Sequence, residues 1–229
     1  MSMLRKGFSG NALKILAMIA MTCDHVGLMF FPQVTFLRII GRLAMPIYAY
    51  MIAQGCRHTR SRARYFAHLF SLALVCQIVY LIAMGSLYQC ILVTFSLSVV
   101  LICLADYARR LPKVLGALLM AVALGGVFFL SEVLPGLLRG TDFAIDYGFF
   151  GILLPVLIYL GRNRVQELAM AAVPLVGLSI GGGIQWFGLC ALPLLALYNG
   201  QRGKYKLKYL FYFYYPAHLA LIQLLAWVL

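Results

Sequence analysis

The sequence predicts an all-α protein, a polytopic bundle of about nine transmembrane helices in which residues 1–229 form a single integral membrane domain. Composition is the first reason. Of 229 residues, 64% are hydrophobic and only 11% are charged, whereas soluble domains hold about 45–50% apolar residues. Mean hydropathy is +0.94, and no globular core hides that much apolar surface. Length is the second, since about 20 residues per bilayer crossing gives about eight to ten spans with nothing left for a soluble domain. The third is the placement of charge, because the basic residues fall in short clusters between apolar runs.

Apolar runs and their breakers place helices at 11–31, 36–54, 65–84, 91–108, 112–131, 146–161, 167–181, 184–199 and 207–228. The first resembles a signal peptide, with Arg5 and Lys6 ahead of the run from Ile15 to Cys23. It continues through Val26 to Phe31, long enough to span, and Thr22 stands where a lipoprotein signal needs Gly, Ala or Ser; cleavage is not expected. The second ends at the basic 57–64 loop, the fourth at Arg109 and Arg110, and the fifth opens beside Lys113. The sixth and seventh are short, and Pro155, Pro174 and Gly181-Gly182-Gly183 predict broken or re-entrant geometry there. The ninth follows Arg202, Lys204 and Lys206.

With the N-terminus inside, alternate loops put Arg5, Lys6, Lys14, Arg57, Arg60, Arg62, Arg64, Arg109, Arg110, Lys113, Arg162, Arg164, Arg202, Lys204, Lys206 and Lys208 on the cytoplasmic side. That is sixteen of the 19 basic residues, as the positive-inside rule requires. An odd number of spans then leaves the C-terminus outside. The formal charge of +13 is thereby a topology signal, and a nucleic-acid partner is not expected, since that needs lysines and arginines gathered on one water-facing surface. The six cysteines show no metal-ligand spacing; they read as small packing residues, and no metal is expected.

Arg38, Arg42 and Arg139 remain, with Asp24, Glu132, Asp142 and Asp146 on the same outer side. Ionisable groups at membrane depth cost a few kcal/mol, so they pair or face a polar cavity. Depth makes the pairing concrete: at about 1.5 Å per residue, His25 lies about 9 Å below the outer surface, and Arg42, six steps inward from Phe36, lies level with it. Arg38 and Arg42, spaced i,i+4, share a helix face. Asp24 is their expected partner. The bland role is a staple between two helices; His25 beside them points instead to proton transfer near neutral pH. Asp146 and Tyr147 open the sixth helix on that side, and His218 lies near midplane after Pro216. Cys23, about 160° around the helix from His25, cannot pair with it directly. His58 and His68 read as interfacial, and the aromatic run Tyr209 to Tyr215 as a packing belt.

Several stretches together resemble a known family: Leu13-Lys14-Ile15, Thr22-Cys23-Asp24-His25-Val26-Gly27, the run from Arg38 through Gly41-Arg42 to Pro46-Ile47-Tyr48-Ala49-Tyr50, and Gly55-Cys56-Arg57-His58-Thr59-Arg60. With Asp146-Tyr147-Gly148, Lys208-Tyr209-Leu210-Phe211-Tyr212 and Tyr215-Pro216-Ala217-His218, they resemble the TraX family, whose namesake is the conjugative pilin acetylase. The resemblance spans most of the chain in order; 105–141 adds little. It implies an enzyme of the bacterial cytoplasmic membrane that moves an acetyl group from acetyl-CoA to the N-terminal amine of an exported pilin; the wider expectation is an acetyl or other short acyl group moved to an amine or hydroxyl of an exported protein or glycan. It also implies that the histidine late in the first helix, His25, is the base, with Asp24, Arg42, Asp146, Tyr147 and His218 as companions; Arg38, on the same helix face as Arg42, joins the expected catalytic group, and Asp146, Tyr147 and His218 are expected at the substrate. Lys14, Arg57 and Arg60 are then the expected partners of the coenzyme phosphates. The rival expectation is a transporter or channel whose buried charges line a substrate or proton path.

Overall fold

The computed structural model describes residues 7–205 and 207–228. Arg5, Lys6 and Lys206, counted in the topology above, lie outside them, as do the side chains of Lys208, Tyr209, Phe211 and Tyr212 of the terminal motif. No strand forms among the described residues. Helix α1 covers Gly10–Met29, α2 Thr35–Gly41, α3 Ala44–His58, α4 Arg62–Met84, α5 Ile91–Ala108 and α6 Lys113–Phe128. A π-turn over Phe129–Val133 leads into α7 (Leu134–Leu137); α8 (Gly148–Leu160) and α9 (Arg164–Ser179) follow. A tight 3-10 segment, Gly183–Cys190, runs into α10 (Ala191–Ala196), and α11 covers Lys208–Val228.

Local chemistry sets these ends. Ser9, Ser61 and Asn163 cap α1, α4 and α9 by accepting from the amides of Ala12, Arg64 and Gln166. Gly85, at φ 61°, closes α4 in the left-handed conformation that a glycine adopts without strain. The second predicted helix is interrupted at Arg42 and Leu43 and then runs on to His58. Pro46 explains the break, because it has no N–H to offer the carbonyl of Arg42 one turn back. Pro135 likewise has none for Ser131, and the amide of Leu134 reaches Phe129 across the π-turn.

Five helical stretches among the described residues are long and apolar enough to cross a membrane: Gly10–Met29, Thr35–His58, Arg62–Ile82, Ile91–Ala108 and Lys113–Leu137. These five coincide with the first five of the nine expected spans. At about 1.5 Å per residue, α8 is about 20 Å long, short of a hydrocarbon core of about 30 Å. The predicted eighth helix is a 3-10 segment for its first half, entered through Gly182 and Gly183 at φ 82° and 70°. Ile82, Val114 and Val122 stand 80%, 74% and 73% exposed, which suits lipid and not water.

The chain divides into two compact units, Met1–Met51 with Asn163–Leu229, and Ile52–Arg162. In the first, α1 packs along α2 and α11, while α9 and α2 pack on the 3-10 segment. Its core includes Leu13, Ala17, Ala20, Met45, Ile47, Tyr50 and Leu195. The start of α1 is pinned by Asn11 Nδ2, which donates to the carbonyl of Tyr205 at 2.7 Å. Nearby, buried Glu167 accepts from the Tyr50 hydroxyl, and Arg164 lies over the Tyr50 and Tyr198 rings.

In the second unit α5 is central, packed by α4, α6 and α8 around Phe95, Val99, Ile102, Ile152 and Ile158. Buried Ser98 ties α5 to the Ile152 carbonyl at 2.8 Å. Its two ends differ in charge. Arg57, Arg62 and Arg109 gather with Asp106 and Tyr159 at one. Ser86, Asp142, Tyr88 and Asp146 gather at the other, the segregation that alternating loops demand.

Candidate active site

The site grows from one close approach between α1 and α2. A Cβ on Gly41 would land on the side chain of Asp24, and one on Gly27 would come within 2.8 Å of the Leu37 Cβ. Glycine at both positions lets the helix backbones come close enough for short polar side chains to meet. Asp24 then receives Arg38 Nε at 2.9 Å and the Arg42 guanidinium on both carboxylate oxygens. Arg42 is 7% exposed, which a lone guanidinium would not tolerate. One carboxylate shared by two guanidiniums leaves these three groups with net positive charge.

His25, the next residue along α1, turns to α11. Its Nδ1 lies 3.1 Å from Nε2 of His218. The Nδ1 of His218 lies 2.9 Å from the carbonyl of Tyr214, and a carbonyl only accepts, so that nitrogen carries hydrogen. The neutral ring then offers Nε2 as acceptor, His25 Nδ1–H donates to it, and the lone pair of His25 is left on Nε2. His218 is only 6% exposed, stacked on Tyr214 at 5.0 Å with Tyr215 edge-on. The Tyr214 hydroxyl meets the Thr22 hydroxyl and the Met18 carbonyl of α1.

Of the residues expected here, Asp24, His25, Arg38, Arg42 and His218 come together in the first unit. His25 pairs with His218, a partner that depth alone had not assigned, whereas the acid beside it serves the arginines. Lys14 belongs to the first unit, on α1. Asp146 and Tyr147 belong to the second. There Asp146 accepts from the Tyr88 hydroxyl at 2.7 Å, and Thr94 donates to its carbonyl at 2.7 Å. Tyr147 is in the left-handed conformation at φ 59°, and Glu132 caps α8 through the Phe149 amide at 2.7 Å. Burial, and then Asp146, push the Tyr88 hydroxyl above the ordinary tyrosine range. The Ser86 hydroxyl and the Leu87 amide hold Asp142 below the carboxylate range.

Arg57 sits at the opposite end of the second unit. Its Nη2 donates to the carbonyls of Ile158, Tyr159 and Gly161 at 2.8, 2.9 and 2.6 Å, at the C-terminal end of α8, where the helix leaves carbonyls to be met from outside. Beside it, Asp106 accepts from Arg62, Arg109 and Tyr159. Arg57, Arg109, Tyr159, Leu160, Gly161 and Arg162 line a cavity of about 410 Å³. Arg60 is exposed and is not among its walls. Arg109 and Arg162, placed by charge pattern in the loops, line this cavity too; charge clusters at loop positions carry the same signal whether or not they enclose a space. Tyr214, part of the expected packing belt, stands four residues before His218 and stacks on it.

The model of the family described as TraX protein matches residues 9–226. A probable fimbrial assembly protein FimC, serogroup H1, of Dichelobacter nodosus is 26% identical over 246 residues, covering 94% of each chain. An uncharacterized protein of Rickettsia prowazekii (strain Madrid E) is 55% identical over 40 residues, 18% of this chain and 16% of that one. No solved structure matches the chain. With one family's pattern running through nearly every helix, including those that bring His25, His218 and the Asp24 ion cluster together, this chain belongs to the TraX family.

Proposed function

We propose that this protein is a membrane acyltransferase, moving an acetyl or other short acyl group from cytoplasmic acyl-CoA to an amine or hydroxyl on an exported acceptor, such as a pilin N-terminus. The observation that carries this reading is the directed histidine pair, which leaves one basic nitrogen on His25 beside a net positive ion cluster. The fimbrial name of the Dichelobacter relative supports an exported pilus subunit as acceptor.

In this mechanism His25 Nε2 takes the proton from the acceptor as its nitrogen or oxygen attacks the thioester carbonyl. The tetrahedral oxyanion lies in the field of Arg38 and Arg42. Collapse breaks the carbon–sulfur bond, and the coenzyme leaves as its thiol with the proton returned from His25. His218 is a positioning residue: it accepts Nδ1–H and so keeps the basic nitrogen at Nε2. Asp24 holds the two guanidiniums in place.

The test is transfer of labelled acetyl from acetyl-CoA into membranes bearing the protein. His25→Ala is expected to abolish it while expression and thermal midpoint hold; full activity in that variant removes the mechanism. A transporter or channel using the same charges would give no label and no stabilisation by acetyl-CoA.

A further inference from the structure

The cavity at the arginine-rich end of the second unit has more built into it than topology requires. The positive-inside bias needs only exposed charge on loops. Here three arginines from three elements line one space of about 410 Å³, Arg57 on α3, Arg109 at the end of α5 and Arg162 after α8. The volume lies within the range of small-ligand sites, about 300–1,000 Å³. Arg57 is held by three backbone carbonyls, and the Tyr159 ring lies under the guanidiniums of Arg57 and Arg62 at 5.7 and 5.3 Å. The Arg57 side chain is therefore fixed before any ligand arrives.

At this end Asp106 already accepts from Arg62, Arg109 and Tyr159. The Arg109 side chain is 58% exposed and joins Asp106 at 3.1 Å; an exposed pair of this kind is weak and can turn toward a stronger anion. Planar guanidiniums from several directions match the oxygens of a phosphate, which accepts paired, charge-assisted hydrogen bonds.

We propose that this cavity binds a phosphate-bearing ligand through Arg57, Arg109 and Arg162. The ligand is assigned as the phosphates of the acyl donor, an assignment that rests on the acyltransferase reading above. The anionic headgroup of a phospholipid offers the same chemistry from the bilayer side.

The experiment compares wild type, Arg109→Gln/Arg162→Gln, the charge-keeping Arg109→Lys/Arg162→Lys, and His25→Ala. Protein in neutral detergent is titrated calorimetrically with acetyl-CoA, coenzyme A lacking its 3′-phosphate, and inorganic pyrophosphate. Thermal midpoints are also read in phosphatidylcholine nanodiscs with and without phosphatidylglycerol. Arg109 and Arg162 are exposed, so both paired variants are expected to fold.

The glutamine pair is expected to weaken acetyl-CoA binding about tenfold or more, the lysine pair less, and His25→Ala not at all, with wild-type affinity falling as salt rises. Equal acetyl-CoA affinity in wild type and the glutamine pair overturns the cavity and leaves acyl transfer standing. If wild type binds no coenzyme, yet phosphatidylglycerol stabilises it and not the glutamine pair, the phosphate site stands with a lipid as its source and the acyl-CoA reading falls. If no phosphate compound or lipid distinguishes them, the proposal is overturned.

Discussion

Nε2 of His218 stands 3.1 Å from Nδ1 of His25, across 193 residues of chain. Because the other nitrogen of His218 is committed to the Tyr214 carbonyl, this contact has a direction, and it aims the lone pair of His25 away from α11.

His218→Phe tests that direction. Phenylalanine keeps the stack on Tyr214 and removes the acceptor for His25 Nδ1–H. Acetyl transfer is expected to fall by about 10²-fold, mostly in kcat, with KM for acetyl-CoA and the thermal midpoint little changed. A loss confined to KM would mean that His218 shapes a binding surface and has no part in positioning His25.

The Asp24 cluster predicts an order of stability losses. Asp24→Ala leaves Arg42, 7% exposed, with its charge uncompensated, and is expected to cost about 3–5 kcal/mol. Arg42→Ala costs less, because Asp24 keeps Arg38 at 2.9 Å. Arg38→Ala, at a side chain 25% exposed, costs least. Denaturation midpoints in detergent check the order, and equal losses at all three positions would show that the cluster is not a shared ion pair.

Gly41→Ala places a methyl on the Asp24 side chain. Overpacking of this kind costs about 1–3 kcal/mol, and the displaced carboxylate loses its arginines, so transfer activity is expected to fall with stability. Gly126→Ala is the control, since a Cβ there meets nothing within 4 Å.

Tyr88 predicts a pH dependence. Burial and Asp146 raise its pKa above the ordinary value of 10.0. A raised acid of this kind contributes stability that is fully present below the unfolded pKa and is lost as pH rises through the folded one. Tyr88→Phe is expected to lower stability by about 2 kcal/mol near neutrality, from loss of the 2.7 Å bond to Asp146. It is also expected to narrow the gap between thermal midpoints at neutral and strongly alkaline pH. An unchanged gap would show that Tyr88 does not titrate with unfolding.

Much of the architecture was legible in residue order. Burial in lipid is close to a per-residue property, so apolar runs marked α1, α4 and α5 to within a few residues, and Gly181-Gly182-Gly183 marked the break before the 3-10 segment. The rise of a helix, about 1.5 Å per residue, was enough of a ruler to set Arg42 level with Asp24 and His25. The interruption at Arg42 was not foreseen, although Pro46 and its missing N–H stood in plain view.

The sequence by itself determined that this protein is an all-helical chain with stretches long and apolar enough to cross a membrane and which few charged side chains had to find partners among them, because the cost of an ionisable group in hydrocarbon does not depend on where the chain goes next. Asp24 as the partner of the two arginines follows from depth and spacing along the chain, whereas only the tertiary structure gave His25 to His218 and turned Arg57, Arg109 and Arg162 from loop charges into the walls of one cavity. Such choices depend on the angles and separations at which distant helices pack, and on glycines such as Gly41 that permit the approach; no local periodicity encodes either.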